Sequence, residues 1–536
     1  MPVSGDRKVY LKQNIQTEPL FNSWYAWVLL LPPATAALNL AERYLPMMKS
    51  YVTSPMLHAA AVKNPAMRGG PFIDLGGKRA NEVRELMQET LERNQNLLEF
   101  AKKLKQLAAM LLDKAKGMAL DSLYAEVPDL LKGYVELCYD LNHSPSFRVI
   151  EPMLYRSPYF SEAAQSVALS EVSRDRGRPF IMSTPRLADD RTANFRMPFS
   201  SLVLDDLFRM KSQPQSYAYI ADSMGVDGAA EPLFRSFFTE DAPAPPVPYE
   251  GDSFRVRYFG HACLLIESRD VKVLVDPIVS YSYDAEIPRY TFADLPDEID
   301  YVLITHSHHD HILLETLLQL RHKVKTIVVG RNYDGFLHDP SLQLALQSAG
   351  FPNVVEIRDL QEIPIPGGSI FSIPFLGEHH DLFMQSKSGY LVRIGKRSVL
   401  CIADACNLEP CMYEKVFQIT GEPDLLFLGM ECDGAPPSWI YGPLFPKAVP
   451  REIDQSRRAR GCNFKEASGL VDRFRFRQAY VYAMGQEPWL SHILDNEFNE
   501  ESNSLIQSRR FVAHCREKGI VSESLFGQKE ILVQQD

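Results

Sequence analysis

The stretch that most restricts what this chain can become is Tyr301–His311, YVLITHSHHDH. An apolar, β-branched run predicts a strand that ends in four histidines and one aspartate. In extended backbone, residues two apart point the same way, so His306 and His308 can grip one ion together. Asp310 and His311 then turn toward a second. The whole chain holds 13 histidines, and a solvated loop has no use for four of them. Clustered imidazole and carboxylate are what transition metals bind. His309 is expected to face away.

A chain of 536 residues is too long for one ordinary core, which predicts two to three domains. The net charge of −11 excludes a protein that lives on nucleic acid or anionic lipid, since little would neutralise the phosphates. Small molecules and other proteins are the expected partners. The eight cysteines are scattered, as in a reduced, cytoplasmic protein. Cys401, Cys406 and Cys411, at C-x4-C-x4-C, lack the paired spacing of structural zinc. The apolar run Trp24–Leu40 is short for a membrane span and carries Pro32-Pro33 at its centre, so it reads as a buried segment.

Residues 36–240 read as mostly helical. Val83, Met87, Leu91, Leu98, Ala101, Leu104, Ala108 and Leu111 recur at steps of three, four and seven, which predicts one long amphipathic helix over Asn81–Leu112. That helix serves either core packing or a homodimer contact. The proline-rich stretch EDAPAPPVPYEGD, Glu240–Asp252, reads as a linker, dividing a mainly helical N-terminal domain (1–245) from a catalytic domain (246–536). Beyond it, strands are expected at Phe254–Phe259, Cys263–Glu267, Val271–Val275, Tyr301–Ile304, Thr326–Val329, Val354–Ile357, Ile370–Ile373, Tyr390–Ile394, Ser398–Ala403, Leu425–Leu428 and Ala479–Tyr482. Helical stretches between some of them imply an α/β fold of two packed sheets with helices outside.

From Phe254 onward the chain resembles the metallo-β-lactamase superfamily. The likeness rests on GHACLLIES, VLVDP with Asp276, THSHHDH, GEHHD at Gly377–Asp381 and CIADACN with Asp404. It implies an αββα sandwich with metal ligands on loops at one edge, Asp404 bridging two metals and Asp276 orienting a metal histidine. Both roles fit the chemistry, because a bridging anion lets two cations sit close and a ligating imidazole needs its other nitrogen held. His261 is expected to shape a turn.

Two departures stand out. A typical hydrolase of this superfamily has a histidine between the motif and the bridging aspartate, and another near the C-terminus. This chain offers Glu378-His379-His380 at the first place and Met484-Gly485-Gln486-Glu487 at the second. With Glu378 as ligand, His306, His308, Glu378 and Asp404 hold one ion and Asp310, His311 and Asp404 the other. His380 competes with Glu378 if the segment is extended. Three carboxylates beside three imidazoles form a harder set than zinc hydrolases use, one suited to iron and dioxygen.

GEHHDL, ADACNLEP, GMECDGAPPSWIYGP, VYAMGQEPW and, near the start, WVLLLPPATAALNLAERYLP and RGGPFIDL resemble the diiron β-hydroxylases of chloramphenicol and nonribosomal-peptide biosynthesis. That resemblance spans nearly the whole chain. It implies two iron ions held by His306, His308, Asp310, His311, Glu378 and Asp404, with dioxygen as co-substrate and electrons from an external donor. It further implies an amino acid held as a thioester on a peptidyl carrier domain, and a dimerising N-terminal domain. Glu378 and Glu431 are the candidate catalytic carboxylates; Asp433 and Glu487 are weaker candidates, and Trp439 and Tyr441 can line a substrate pocket. The alternative is a dinuclear hydrolase acting on an ester, lactone or phosphodiester through a bridging hydroxide. It requires His379 or His380 as ligand and a late one from His492 or His514.

Overall fold

The computed structural model describes residues 7–534. Its catalytic half is a sandwich of two seven-stranded sheets. The first runs Val354–Ile357, Val324–Gly330, Ile299–Leu303, Lys272–Val275, Cys263–Ser268, Phe254–Gly260, Lys529–Val533. Its first four strands are parallel and the rest antiparallel. The second runs Glu362–Ile365, Gly368–Ile373, Gly389–Ile394, Arg397–Cys401, Leu425–Gly429, Gln478–Tyr482, Val521–Ser524, with Arg397–Cys401 and the strands beyond it parallel.

Side chains alternate across each strand. Val273, Val275, Leu303 and Val328 face the second sheet, where they meet Val392, Val399 and Phe427. Leu274, Val302, Ile327 and Val329 face the other way. These strands are buried on both faces, which is why they read as unbroken apolar runs. Helices Pro410–Thr420, Phe464–Arg473 and Asn503–Glu517 cover the outer face of the second sheet.

The outer face of the first sheet is covered by helix Leu314–Leu320 and by the N-terminal region, which share one hydrophobic core. Buried charges sit at this contact. Glu315 receives Arg178 Nη2 at 2.6 Å and the hydroxyls of Tyr25 at 2.8 Å and Tyr281 at 2.6 Å. Arg178 also reaches Glu18 at 2.7 Å, and Arg186 pairs with Glu18 at 2.6 Å.

The N-terminal region combines helices with strands. Ile15–Phe21 pairs with Gln165–Glu171 in a four-stranded sheet, and Lys8–Leu11 lies between Gln215–Ser216 and Phe238–Thr239. Gln16, Thr17 and Glu18 hide the first of these from a hydrophobicity pattern, because they are polar yet buried. The helix expected over Asn81–Leu112 is two helices, Ala80–Arg93 and Gln95–Lys114. Asn94 breaks it, its Nδ2 bonding Thr90 O at 2.9 Å and facing Asn22 at 3.2 Å. The break shifts the phase, so Leu86 and Thr90 are buried while Leu91 is exposed. The Trp24–Leu40 run is buried throughout, with Pro33 opening a helix in the first position, where its missing N–H costs nothing. No helix among the described residues is long and apolar enough to cross a membrane.

Candidate metal centre

The site lies where parallel strands of both sheets end. Lys272–Val275 delivers Asp276, Ile299–Leu303 delivers Thr305–His311, and Arg397–Cys401 delivers Asp404. A left-handed residue turns the chain at three strand ends: Asp276 (φ 40°), Ala403 (φ 42°) and Ala483 (φ 52°). Gly429, ending the neighbouring strand, permits the aspartate to sit down. A Cβ there would lie 2.6 Å from Asp404 Oδ1 and 2.8 Å from Ala403 O.

Asp276 is fully buried and organises the histidine loop from behind. It accepts the Thr305 N–H at 2.7 Å, the Thr305 hydroxyl at 2.5 Å and His311 Nδ1 at 2.8 Å. With Nδ1 so held, His311 Nε2 faces Asp404 Oδ2 at 3.1 Å and Asp310 Oδ2 at 3.7 Å. His306 rests Nδ1 on Thr305 Oγ1 at 3.0 Å and points Nε2 to within 3.9 Å of Asp404 Oδ2. His308 Nδ1 is 2.7 Å from Glu378 Oε1, and its Nε2 is 3.2 Å from the Tyr441 hydroxyl. Each ligand imidazole therefore has one nitrogen fixed from outside and one facing the centre, the arrangement metal histidines require.

The donor atoms suit two ions. Donors each about 2.1 Å from one ion stand about 3–3.5 Å apart, near the spacings just given. They fall into three groups, His306–His308–Glu378–His379, His306–His311–Asp404 and His261–Asp310–His311, so that His306 and His311 link neighbouring groups. His306 Nε2 and Asp404 Oδ1 are buried without a protein hydrogen-bond partner, as atoms awaiting a cation would be. Carboxylate oxygens mixed with imidazoles suit iron.

Charge complementarity runs through the site. Burial works against the Asp310 and Glu378 carboxylates, yet neighbouring imidazoles hold both well below the usual range. Burial likewise opposes the His311 cation, but Asp404, Asp310 and Asp276 hold its pKa well above normal. Burial raises Asp404, with His311 opposing.

The structure changes the competition around Glu378. The segment is not extended: Glu378, His379, His380 and Asp381 have φ of 52°, 49°, 58° and 56°, following Gly377 at 77°. His380 therefore turns off the shared face, and its Nδ1 binds Arg457 O at 2.8 Å. His379 stands inside instead, its ring stacked on His308 at 4.4 Å and its Nδ1 2.7 Å from Glu378 Oε2. Burial above all pushes the His379 imidazole down to about 3.

Other expected residues lie elsewhere. The Glu431 carboxylate accepts the Gly434 N–H at 2.8 Å and the Ser504 hydroxyl at 3.0 Å, fastening a turn, and it joins none of the donor groups. Asp433 binds Asn503, and Glu487 is buried against the Tyr258 hydroxyl. His309 faces away and binds Ile493 O at 3.0 Å. His514 sits on Asp472 at 2.7 Å, and His492 is buried near Arg178 and Glu18, outside every donor group. Trp439 packs on Gly69 rather than on the histidines. His261 shapes a turn, left-handed at φ 49°, and also places Nε2 3.2 Å from Asp310 Oδ2. The hydrogen bonds of Tyr441 and the role of Gly429 carried no signal in the chain beyond an aromatic residue and a strand-ending glycine.

Residues 10–243 match the family described as the diiron non-heme beta-hydroxylase N-terminal domain, and residues 255–373 match the beta-lactamase superfamily domain. The 4-amino-L-phenylalanyl-[CmlP-peptidyl-carrier-protein] 3-hydroxylase of Streptomyces venezuelae is 39% identical over 524 residues, 96% of this chain and 98% of that one. This chain belongs to the CmlA-like diiron β-hydroxylases. The crystal structure of CmlA, a diiron beta-hydroxylase from Streptomyces venezuelae, matches with a TM-score of 0.92 at 38% identity, covering 98% of this chain and 100% of that one. A mutant of CmlA matches with a TM-score of 0.90 over the same shares. Family membership sets the hydrolase alternative aside, and the strand end Met484–Glu487 brings no histidine to the centre.

Proposed function

We propose that this protein is a non-haem diiron monooxygenase that β-hydroxylates an amino acid held as a thioester on a carrier domain of a nonribosomal peptide synthetase. Dioxygen is the co-substrate and an external donor supplies electrons. The observation that carries this reading is the Glu378 carboxylate at 2.7 Å from both His308 and His379, where a hydrolase relies on histidine alone. His306, His308 and Glu378 would hold one iron and Asp310 and His311 the other, with Asp404 within reach of both sets. The two irons, when bound, supply the activation of dioxygen.

The protein residues have their own tasks. Asp276 and Thr305 keep the outer nitrogens of His311 and His306 engaged, and Tyr441 does so for His308. Phe375, buried with its ring 5.4 Å from that of His306, helps exclude water. Of the two candidate catalytic carboxylates, Glu378 stands among the donor groups, while Glu431 binds Gly434 and Ser504. The proline-rich stretch 240–252, free of helix and strand, is the proposed division between the N-terminal and catalytic domains.

The test is to load the protein with ferrous iron and give it a carrier domain charged with 4-aminophenylalanine or another aromatic amino acid. Oxygen uptake matched by a carrier-bound product heavier by one oxygen is expected. Thioester hydrolysis without oxygen consumption would overturn the reading.

A further inference from the structure

Strands Val324–Gly330 and Val354–Ile357 run parallel to the strand that carries the histidine motif, and next to it. Their C-terminal ends therefore open on the same edge of the sheet, where ligands of such sheets collect. The residues that follow them are Arg331 and Arg358. There lies a cleft of ≈ 700 Å³, within the roughly 300–1,000 Å³ usual for small-molecule sites.

One wall of the cleft carries Arg148, Arg331, Arg358 and Lys387 against the acids Asp334 and Asp359. Glu136 beside Arg148, and Glu356 beside Arg331 and Arg358, bring the acids around these cations to four as well. Arg331 and Arg148 already have partners, at Asp334 (3.2 Å) and Glu136 (2.5 Å). The exposed guanidinium of Arg358 makes no hydrogen bond or salt bridge with any described residue.

Phe375 and Met384 line the cleft as well, and both lead toward the metal centre. The Phe375 ring is 5.4 Å from His306, and Met384 Sδ is 3.4 Å from the Tyr441 hydroxyl that meets His308. Lys387 lies over the Phe375 ring and bonds Gly377 O at 3.1 Å, beside Glu378. The cleft thus runs from a rim bearing the Arg331 and Arg358 guanidinium groups to within one side chain of the histidines.

The geometry points to this cleft as the entrance for the phosphopantetheine arm of the carrier domain. Arg331 and Arg358 take the phosphate, and the apolar wall guides the thioester end toward the irons. The inference rests on the carrier-thioester reading above. Its chemistry is that of planar guanidinium, which pairs with phosphate through two parallel hydrogen bonds.

The test compares 4′-phosphopantetheine with pantetheine, titrated calorimetrically into the iron-loaded full chain. The phosphorylated arm is expected to bind about tenfold more tightly, the gain of one charge-assisted phosphate contact. The gap should narrow in Arg358→Ala, a mild surface change, and vanish in the Arg331→Glu/Arg358→Glu double variant, each with two irons per chain. Equal binding of both ligands by the unaltered protein, or a gap that persists in both variants, overturns the proposal. Hydroxylation of a carrier-bound amino acid without phosphate discrimination would refute the cleft alone. Discrimination without hydroxylation would refute the proposed function instead.

Discussion

The two candidate ion positions share Asp404 and differ in how their other donors are supported. Asp310 and His311 follow a sheet strand, and each has a partner behind it, His261 for the one and Asp276 for the other. Glu378 stands on a run of five residues in left-handed backbone, four of them not glycine. Such a conformation costs about 1 kcal/mol or more per residue that carries a Cβ, so this loop is held by what its side chains bind. One position is set wholly by the fold, and the other, though His306 and His308 follow the same strand, depends for Glu378 on this loop's own contacts.

The largest effect expected is at the dependent position. Glu378→Ala should remove one of two irons and abolish hydroxylation, read by metal content and turnover. Two irons with activity intact would break the comparison.

A buried carboxylate with no cation beside it supplies the reference. Glu151 is 6% exposed and meets only neutral donors, the Ser341 N–H at 3.1 Å and the Asn332 amide at 3.2 Å. Burial raises its pKa from 4.5 to about 7. Between those values the folded chain holds the proton that the unfolded chain has released, so stability is full below pH 4.5 and is lost as pH rises through about 7. The loss is about 3 kcal/mol. Glu151→Gln should flatten this slope in urea melts across the window, and an unchanged slope would show that burial alone does not set the cost.

Asp276→Ala should weaken iron binding about 10- to 100-fold, the usual penalty for freeing a ligand imidazole. The comparison is sharpened if chelator competition finds one iron weakened, and broken if both weaken equally. Tyr441→Phe should have the smallest effect, about 1 kcal/mol, because only one hydrogen bond to His308 is lost. Its signature is faster release of the iron beside Glu378.

Much of this was legible in the chain because the signals were local. Eleven of the fourteen strands follow from runs of apolar residues, and the histidine motif, Asp276 and Asp404 follow where three of those runs end in histidine or aspartate. The edge or late strands Glu362–Ile365, Val521–Ser524 and Lys529–Val533 are too polar to show such a run. His379 and His380 were not separable, since which one faces inward depends on backbone handedness rather than on spacing. Leu86 and Thr90 took the buried places expected of Met87 and Leu91 because the polar residue Asn94 breaks the helix. Glu18 belongs to a strand whose burial depends on Arg178 and Arg186, some 160 residues away in the chain. Nothing local in the chain marks Arg331 and Arg358, which the pairing of Gly330 with Ile357 sets side by side.

The core on the outer face of the first sheet runs without a gap from Val9 to Ile493. Cut off from the N-terminal region, the catalytic sandwich would show water an apolar sheet face and leave Glu315 without Arg178 and Tyr25.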